Sequence, residues 1–133
     1  METAPGCAAE RGLAIEPYGL DIAPELVALA RVRLPQWRDR IWEGNALHWR
    51  PPRRFTYVRT SLEYVPASRR GDLVAHLLEF ATDHRLLIGP ATEEHDVPEM
   101  ERTLASAGFS PDGRLEHSHT DSRLVRRLVW ISR

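Results

Sequence analysis

The chain has 133 residues, 42% of them hydrophobic and 28% charged, the proportions of one ordinary globular domain with a buried core rather than of a disordered segment. All eighteen basic residues are arginine, which excludes a Schiff-base lysine and the Gly-Lys-Ser/Thr ending of a phosphate-binding P-loop. A formal net charge of -1 supplies no general field to attract a polyanion, so nucleic acid is not an expected partner.

The lone cysteine, Cys7, cannot form an internal disulfide. No apolar run approaches the roughly 20 residues that span a bilayer, and the start lacks the basic and apolar regions of a secretory signal. A soluble, cytoplasmic chain without membrane contact is expected. No repeat or composition shift marks a second domain, so residues 1–133 are taken as one. Ile15 to Ile22 is the first expected strand, with Asp21 at its carboxyl end. A helix follows: Pro24 suits a first turn, Glu25 favours the positive helix start, and Leu26, Leu29, Ala30 and Leu34 are placed on one face before Pro35.

Arg40 to Glu43 is the next strand, closed by Gly44-Asn45, and after a short loop Phe55 to Thr60 is another. Ser68 to Ala81 has helical spacing, with Leu73, Leu77, Phe80 and Ala81 on one side. Arg85 to Gly89 is a compact apolar strand. Asp96 and Glu99 form a capping-box pattern ahead of Val97, Met100, Leu104 and Ala107, and Gly108 ends that helix. Two strands close the chain, Arg114 to His119 and Leu124 to Ser132. The Thr120-Asp121-Ser122 turn between them is too short for a parallel crossover, so they must pair antiparallel. The alternation of strands and helices predicts an α/β fold, mostly parallel, with a C-terminal antiparallel hairpin.

The segment Tyr18-Gly-Leu-Asp-Ile-Ala-Pro-Glu-Leu-Val-Ala-Leu-Ala-Arg resembles the second motif of class I S-adenosylmethionine-dependent methyltransferases, a strand ending in an acid and followed by a helix that opens on a small residue and proline. The resemblance continues in order. Gly44-Asn45-Ala46 is similar to the turn after the family's third strand. Phe55 to Pro66 is similar to the fourth strand and its active-site loop, Arg85-Leu-Leu-Ile-Gly-Pro to the fifth strand, and the closing hairpin to the sixth and seventh. It covers roughly residues 15 to 132 and implies an incomplete Rossmann-like sheet that uses S-adenosylmethionine to methylate a small-molecule acceptor.

Under that resemblance Asp21 accepts the ribose hydroxyls, as a carboxylate held at the carboxyl end of a strand can do. The Asn45 amide meets an adenine edge, the Ala46 backbone N–H meets a ring nitrogen, and Ile22 and Leu47 form apolar walls for the base. Glu63 and Tyr64, with Arg59 nearby, face the methyl-transfer crevice, Glu63 as the general base. Each residue also has a plainer reading. Asp21 can cap the following helix or pair with an arginine, Asn45 can be a turn residue tolerating a left-handed backbone, Ile22 and Leu47 can be core, and Glu63 can be a solvated loop acid.

The family's glycine-rich loop and first strand have no counterpart: no two glycines stand two residues apart, and only about fourteen residues precede the first strand. Gly6, Cys7, Ala8 and Ala9 can be the remainder of the helix that normally follows the loop, so the chain is expected to start inside the usual domain. A missing central strand would expose the edges of its neighbours. Three outcomes are open: a partner chain or second copy covers that slot, the N-terminal segment occupies it, or the fold is compromised and the chain is a fragment. The alternative function is a non-catalytic, methyltransferase-like binding or assembly module. A nicotinamide dehydrogenase would need the same glycine fingerprint. No metal is expected: His117 and His119 share a strand face, and residues 93–96 cluster acids with His95, but no third ligand spacing can be assigned. The arginine pairs at 53/54, 69/70 and 126/127 are scattered among acids, and Trp37, Trp42, Trp49 and Trp130 are assigned to packing.

Overall fold

The computed structural model of the chain describes residues 14–89, 97–118 and 125–132. The chain divides into two compact units, residues 1–49 and 50–133. In the first, strand β1 (Gly19–Asp21) leads into helix α1 (Pro24–Arg33), a 3-10 turn (Pro35–Arg40) and strand β2 (Ile41–Glu43). The strands pair in parallel, Gly19 opposite Ile41 and Asp21 opposite Glu43. A parallel pair needs a crossover, and α1 supplies it. Pro24 occupies the first turn, where its missing N–H costs nothing, and Glu25 at the start and Arg31 and Arg33 at the end suit the helix dipole. The Leu34 N–H closes on the Ala30 carbonyl at 2.8 Å, and Pro35 opens the tighter turn.

The expected strand from Ile15 to Ile22 is shortened to three residues because its partner β2 is itself three residues long. The inner face of α1 also differs from expectation. Val27 is 3% exposed, whereas Leu26 and Leu29 are 53% and 43% exposed; Ala30 and Leu34 are half-buried beside Val27. Arg31, four residues from Val27 and therefore on the same side, donates to the Ile41 carbonyl from Nε and Nη2 at 3.2 and 2.7 Å and ties the helix to β2 in this rotation. Trp42 alternates with Ile41 and so points to the opposite face. There it stacks on Tyr18, centroids 5.5 Å apart, and meets Trp49 at 5.2 Å.

The second unit contains β3 (Phe55–Thr60), a short 3-10 turn (Ala67–Arg69), α2 (Arg70–Leu78), β4 (Ala81–Ile88), α3 (Val97–Ser106), β5 (Gly113–Ser118) and β6 (Val125–Ser132). Its sheet has the order β3-β4-β6-β5. β3 and β4 are parallel, and β6 runs antiparallel to both of its neighbours. The closing hairpin is therefore present, and its second strand is inserted between β4 and β5. Leu86 lies opposite Ile131 and Ile88 opposite Val129. These four and Leu73, Val74 and Leu104 are at most 3% exposed and form the core.

The helix expected over 68–81 stops at Leu78. The Phe80 carbonyl accepts the Phe55 N–H at 2.7 Å, and Ala81 pairs with Phe55, so strand pairing takes residues that helical spacing alone would keep. Gly108, with φ 85°, ends α3 as expected, and the Phe109 N–H returns to the Leu104 carbonyl at 2.9 Å. Asp96 lies outside the described residues, so its capping role is not described. Among the described residues no ladder joins the two sheets, and β1 and β3 each keep one edge without a pairing strand. No helix among them is long and apolar enough to cross a membrane.

Gly113 faces Trp130 across the β5–β6 ladder, and a Cβ at Gly113 would overlap the indole. Gly113→Ala is therefore expected to displace Trp130 and cost about 1–3 kcal/mol, read as a lower urea midpoint with altered tryptophan emission. An unchanged midpoint and spectrum would show that the indole does not cover Gly113.

Candidate functional site

The parallel register places the carboxyl ends of β1 and β2 side by side, and the Gly44 N–H donates to the Asp21 carbonyl at 2.9 Å. This brings Asp21 and Ile22 beside Asn45, Ala46 and Leu47. The Asp21 side chain is half-buried. Its Oδ1 accepts the Ala23 N–H at 2.9 Å, a local turn that prepares the entry into α1 where Ala23 itself has no side chain to cap with. Its Oδ2 takes no hydrogen bond among the described residues. The local turn thus occupies one carboxylate oxygen and leaves the other available.

Asn45 is arranged in the same way. Its Oδ1 accepts the Leu47 N–H at 3.0 Å, and its carbonyl accepts from His48 and Trp49 at 3.0 and 2.8 Å, so it builds the turn. That leaves the Nδ2 amide and the Ala46 N–H without hydrogen-bond partners among the described residues. Ile22 is 65% exposed, which excludes it from the core, and Leu47 is half-buried. Gly44 makes the geometry possible: a Cβ there would stand 2.8 Å from Trp49 Cδ1 and 3.3 Å from Leu20 Cδ1. The sequence marks Gly44 as the close of a strand and the start of the turn after it; the approach of Trp49 is a tertiary contact with no local signal.

A cleft of about 280 Å³ runs along β1 beneath α1. Tyr18, Leu20, Val27 and Trp37 contribute to its lining, and Asp21 is the one charged residue among those that line it. An apolar cleft with a single carboxylate suits a largely apolar ligand held by a few polar contacts. Tyr18 and Trp37 also hold the Arg40 guanidinium, 5.2 Å from each ring centroid. Tyr18 and Trp37 are not among the site residues that the sequence pattern marks.

Glu63 and Tyr64 belong to the second unit, in the segment that leaves the carboxyl end of β3. Leu62, 4% exposed, anchors that segment, and Arg70 Nε holds the Val65 carbonyl at 3.0 Å. Glu63 is exposed and Tyr64 is 85% exposed. Arg59, in β3, is exposed as well. Residues 93–96 and His119 fall outside the described residues, and among the described ones no group of three metal-ligating side chains occurs. Arg69 pairs with Asp72 at 3.0 Å, and Trp37, Trp42, Trp49 and Trp130 all pack against neighbouring side chains or backbone.

No protein-family model matches the chain, and no curated protein matches it. Solved structures do match its fold. Magnesium protoporphyrin IX methyltransferase (ChlM) from Synechocystis PCC 6803, solved with bound SAM, is 18% identical with a TM-score of 0.63, over 98% of this chain and 64% of that one. The glycopeptide N-methyltransferase MtfA, complexed with S-adenosyl-L-homocysteine, is 16% identical with a TM-score of 0.69, over 92% of this chain and 74% of its own. The fold is that of the class I methyltransferases. A protein described as a pericyclic reaction enzyme also matches, 14% identical with a TM-score of 0.65, over 95% of this chain and 38% of that one. This methyltransferase-like chain thus spans a little under two thirds of the length of ChlM.

Gly44→Ala is expected to push Trp49 away from Gly44 and off Trp42, at a cost of about 1–3 kcal/mol. Tryptophan emission should shift to the red as the indole becomes wetter; an unshifted spectrum with full stability would contradict the close approach.

Proposed function

We propose that the chain acts in S-adenosylmethionine-dependent methyl transfer to a small-molecule acceptor, and that its first unit holds the adenosine part of the cofactor. The supporting observation is the set of unpartnered groups at the adjoining ends of β1 and β2: Asp21 Oδ2, Asn45 Nδ2 and the Ala46 N–H, flanked by the apolar Ile22 and Leu47. A ribose offers vicinal hydroxyls to a carboxylate, and an adenine ring offers acceptor nitrogens to the two N–H donors, so each of these groups has a partner of the opposite type. S-adenosylmethionine supplies an electrophilic methyl group on a sulfonium. The chain's part is to hold the adenosine in place, and Glu63 accepts a proton where the acceptor is protonated, with Tyr64 beside it.

The match to ChlM runs over 98% of this chain and supports treating residues 1–133 as one methyltransferase-like domain. A cytoplasmic setting is proposed because Cys7 has no second cysteine with which to form an internal disulfide. The edge of β1 that lacks a pairing strand among the described residues is proposed as the place where a partner chain or a second copy lays a strand.

Calorimetric titration with S-adenosylhomocysteine tests the reading. The expected result is binding that weakens roughly 10- to 100-fold in Asp21→Ala, the loss of charge-assisted hydrogen bonds to the ribose. Asn45→Asp keeps the turn acceptor but removes the amide donor, and should weaken binding about tenfold with little loss of stability. Absence of heat with the parent chain, or an Asp21→Ala variant that binds equally well, would reject the adenosine site and favour a non-catalytic assembly module. Glu63→Gln should leave this affinity unchanged and slow S-adenosylhomocysteine release in a panel of small amine and hydroxyl acceptors by about 100-fold or more; equal rates would remove Glu63 from the chemistry.

A further inference from the structure

Helix α1 carries two apolar faces, and its own strands use only one. Val27, Ala30 and Leu34 turn toward β1 and β2, whereas Leu26, Leu29 and Val32 are 53%, 43% and 78% exposed. Spaced three apart, these three form a stripe centred on Leu29, well over 100° around the helix from Val27. Exposed large side chains scattered singly need no explanation, but a continuous stripe on one helix marks a contact surface.

The charges beside the stripe indicate what covers it. Glu25 and Arg33 stand four residues to either side of Leu29, both exposed, and neither forms an ion pair among the described residues. Arg31 is already committed to the Ile41 carbonyl. When two such helices meet antiparallel about a two-fold axis at Leu29, Leu29 meets its own copy, Leu26 meets Val32 of the second chain, and Glu25 meets Arg33. The surface is complementary to itself in shape and in sign, the requirement of an isologous interface. Antiparallel packing also sets the positive end of each helix beside the negative end of the other.

We infer that two copies of this chain associate through α1, packed antiparallel about Leu29. The contact spans less than three helical turns, so the dimer is weak, with a dissociation constant in the micromolar range or above. Leu26 also lines the cleft that contains Asp21, so the contact borders that cleft; the inference does not depend on the methyl-transfer reading.

Sedimentation equilibrium of the whole chain across a concentration series tests this inference. The parent chain should show reversible dimerisation, and Leu29→Arg, which sets two like charges on the axis, should sediment as a monomer with unchanged circular dichroism. Glu25→Arg or Arg33→Glu alone should weaken association roughly five- to tenfold, whereas the two together should restore it, because the exchanged pair is again opposite in sign. The restoration separates the ion pairs from any effect on helix stability, since both exchanges oppose the helix dipole. A parent chain that stays monomeric at high concentration would overturn the inference and leave another segment of the chain as the cover for α1. A dimer indifferent to Leu29→Arg, or a double exchange that fails to restore association, would equally overturn it.

Discussion

The parallel pairing of Gly19–Asp21 with Ile41–Glu43 is the constraint on which the first unit and its candidate site rest. It is only three residues long, yet its consequences are extensive. Because the strands run the same way, their carboxyl ends coincide, and both exit turns carry polar groups to one place. The Gly44 N–H on the Asp21 carbonyl continues the connection one step past the last ladder residue. An antiparallel arrangement would have sent Asp21 and Asn45 to opposite ends. The helical crossover is the geometric requirement of the parallel choice, so α1, the ladder and the site follow from one another.

Within that site, the structural hydrogen bonds leave the proposed ligand-facing atoms available. A carboxylate has two oxygens and a primary amide has one acceptor and two donors. Asp21 uses Oδ1 to shape the entry of α1 and Asn45 uses its Oδ1 to shape the turn after β2. Each is thereby fixed in orientation with its remaining polar atom available. Asp21 makes a local turn ahead of α1 rather than a helix cap, Asn45 forms the turn after β2, and both leave room for the proposed adenosine contacts. Preorganisation of this kind lowers the ordering cost of binding.

The likeness to methyltransferases and to a pericyclic reaction enzyme at 14–18% identity concerns the scaffold, and the scaffold hosts more than one chemistry. Adenosine is therefore proposed from the donor and acceptor set, not from the neighbours. In the segment carrying Glu63 and Tyr64, Leu62 and Arg70 fix the backbone while the two side chains are exposed. Such segments vary readily because little packing depends on them.

Much of this was legible in the sequence. The number and order of the elements, the exact span of β3, the stop at Gly108, the closing hairpin, and the Asp21 and Gly44-Asn45 positions all follow from local signals: alternation, helical spacing, turn residues and an acid at the end of an apolar strand. Other features were decided by contacts between distant residues. The rotation of α1, which buries Val27 rather than Leu26 and Leu29, depends on Arg31 reaching Ile41. The early end of α2 depends on Phe55 claiming the Phe80 carbonyl, and the insertion of β6 between β4 and β5 depends on core pairs such as Leu86 with Ile131. The physical reason is one of range. Periodicity and turn chemistry act over a few residues, but a helix apolar on more than one side has no locally preferred face, and the choice passes to whichever strand is near enough to hold it.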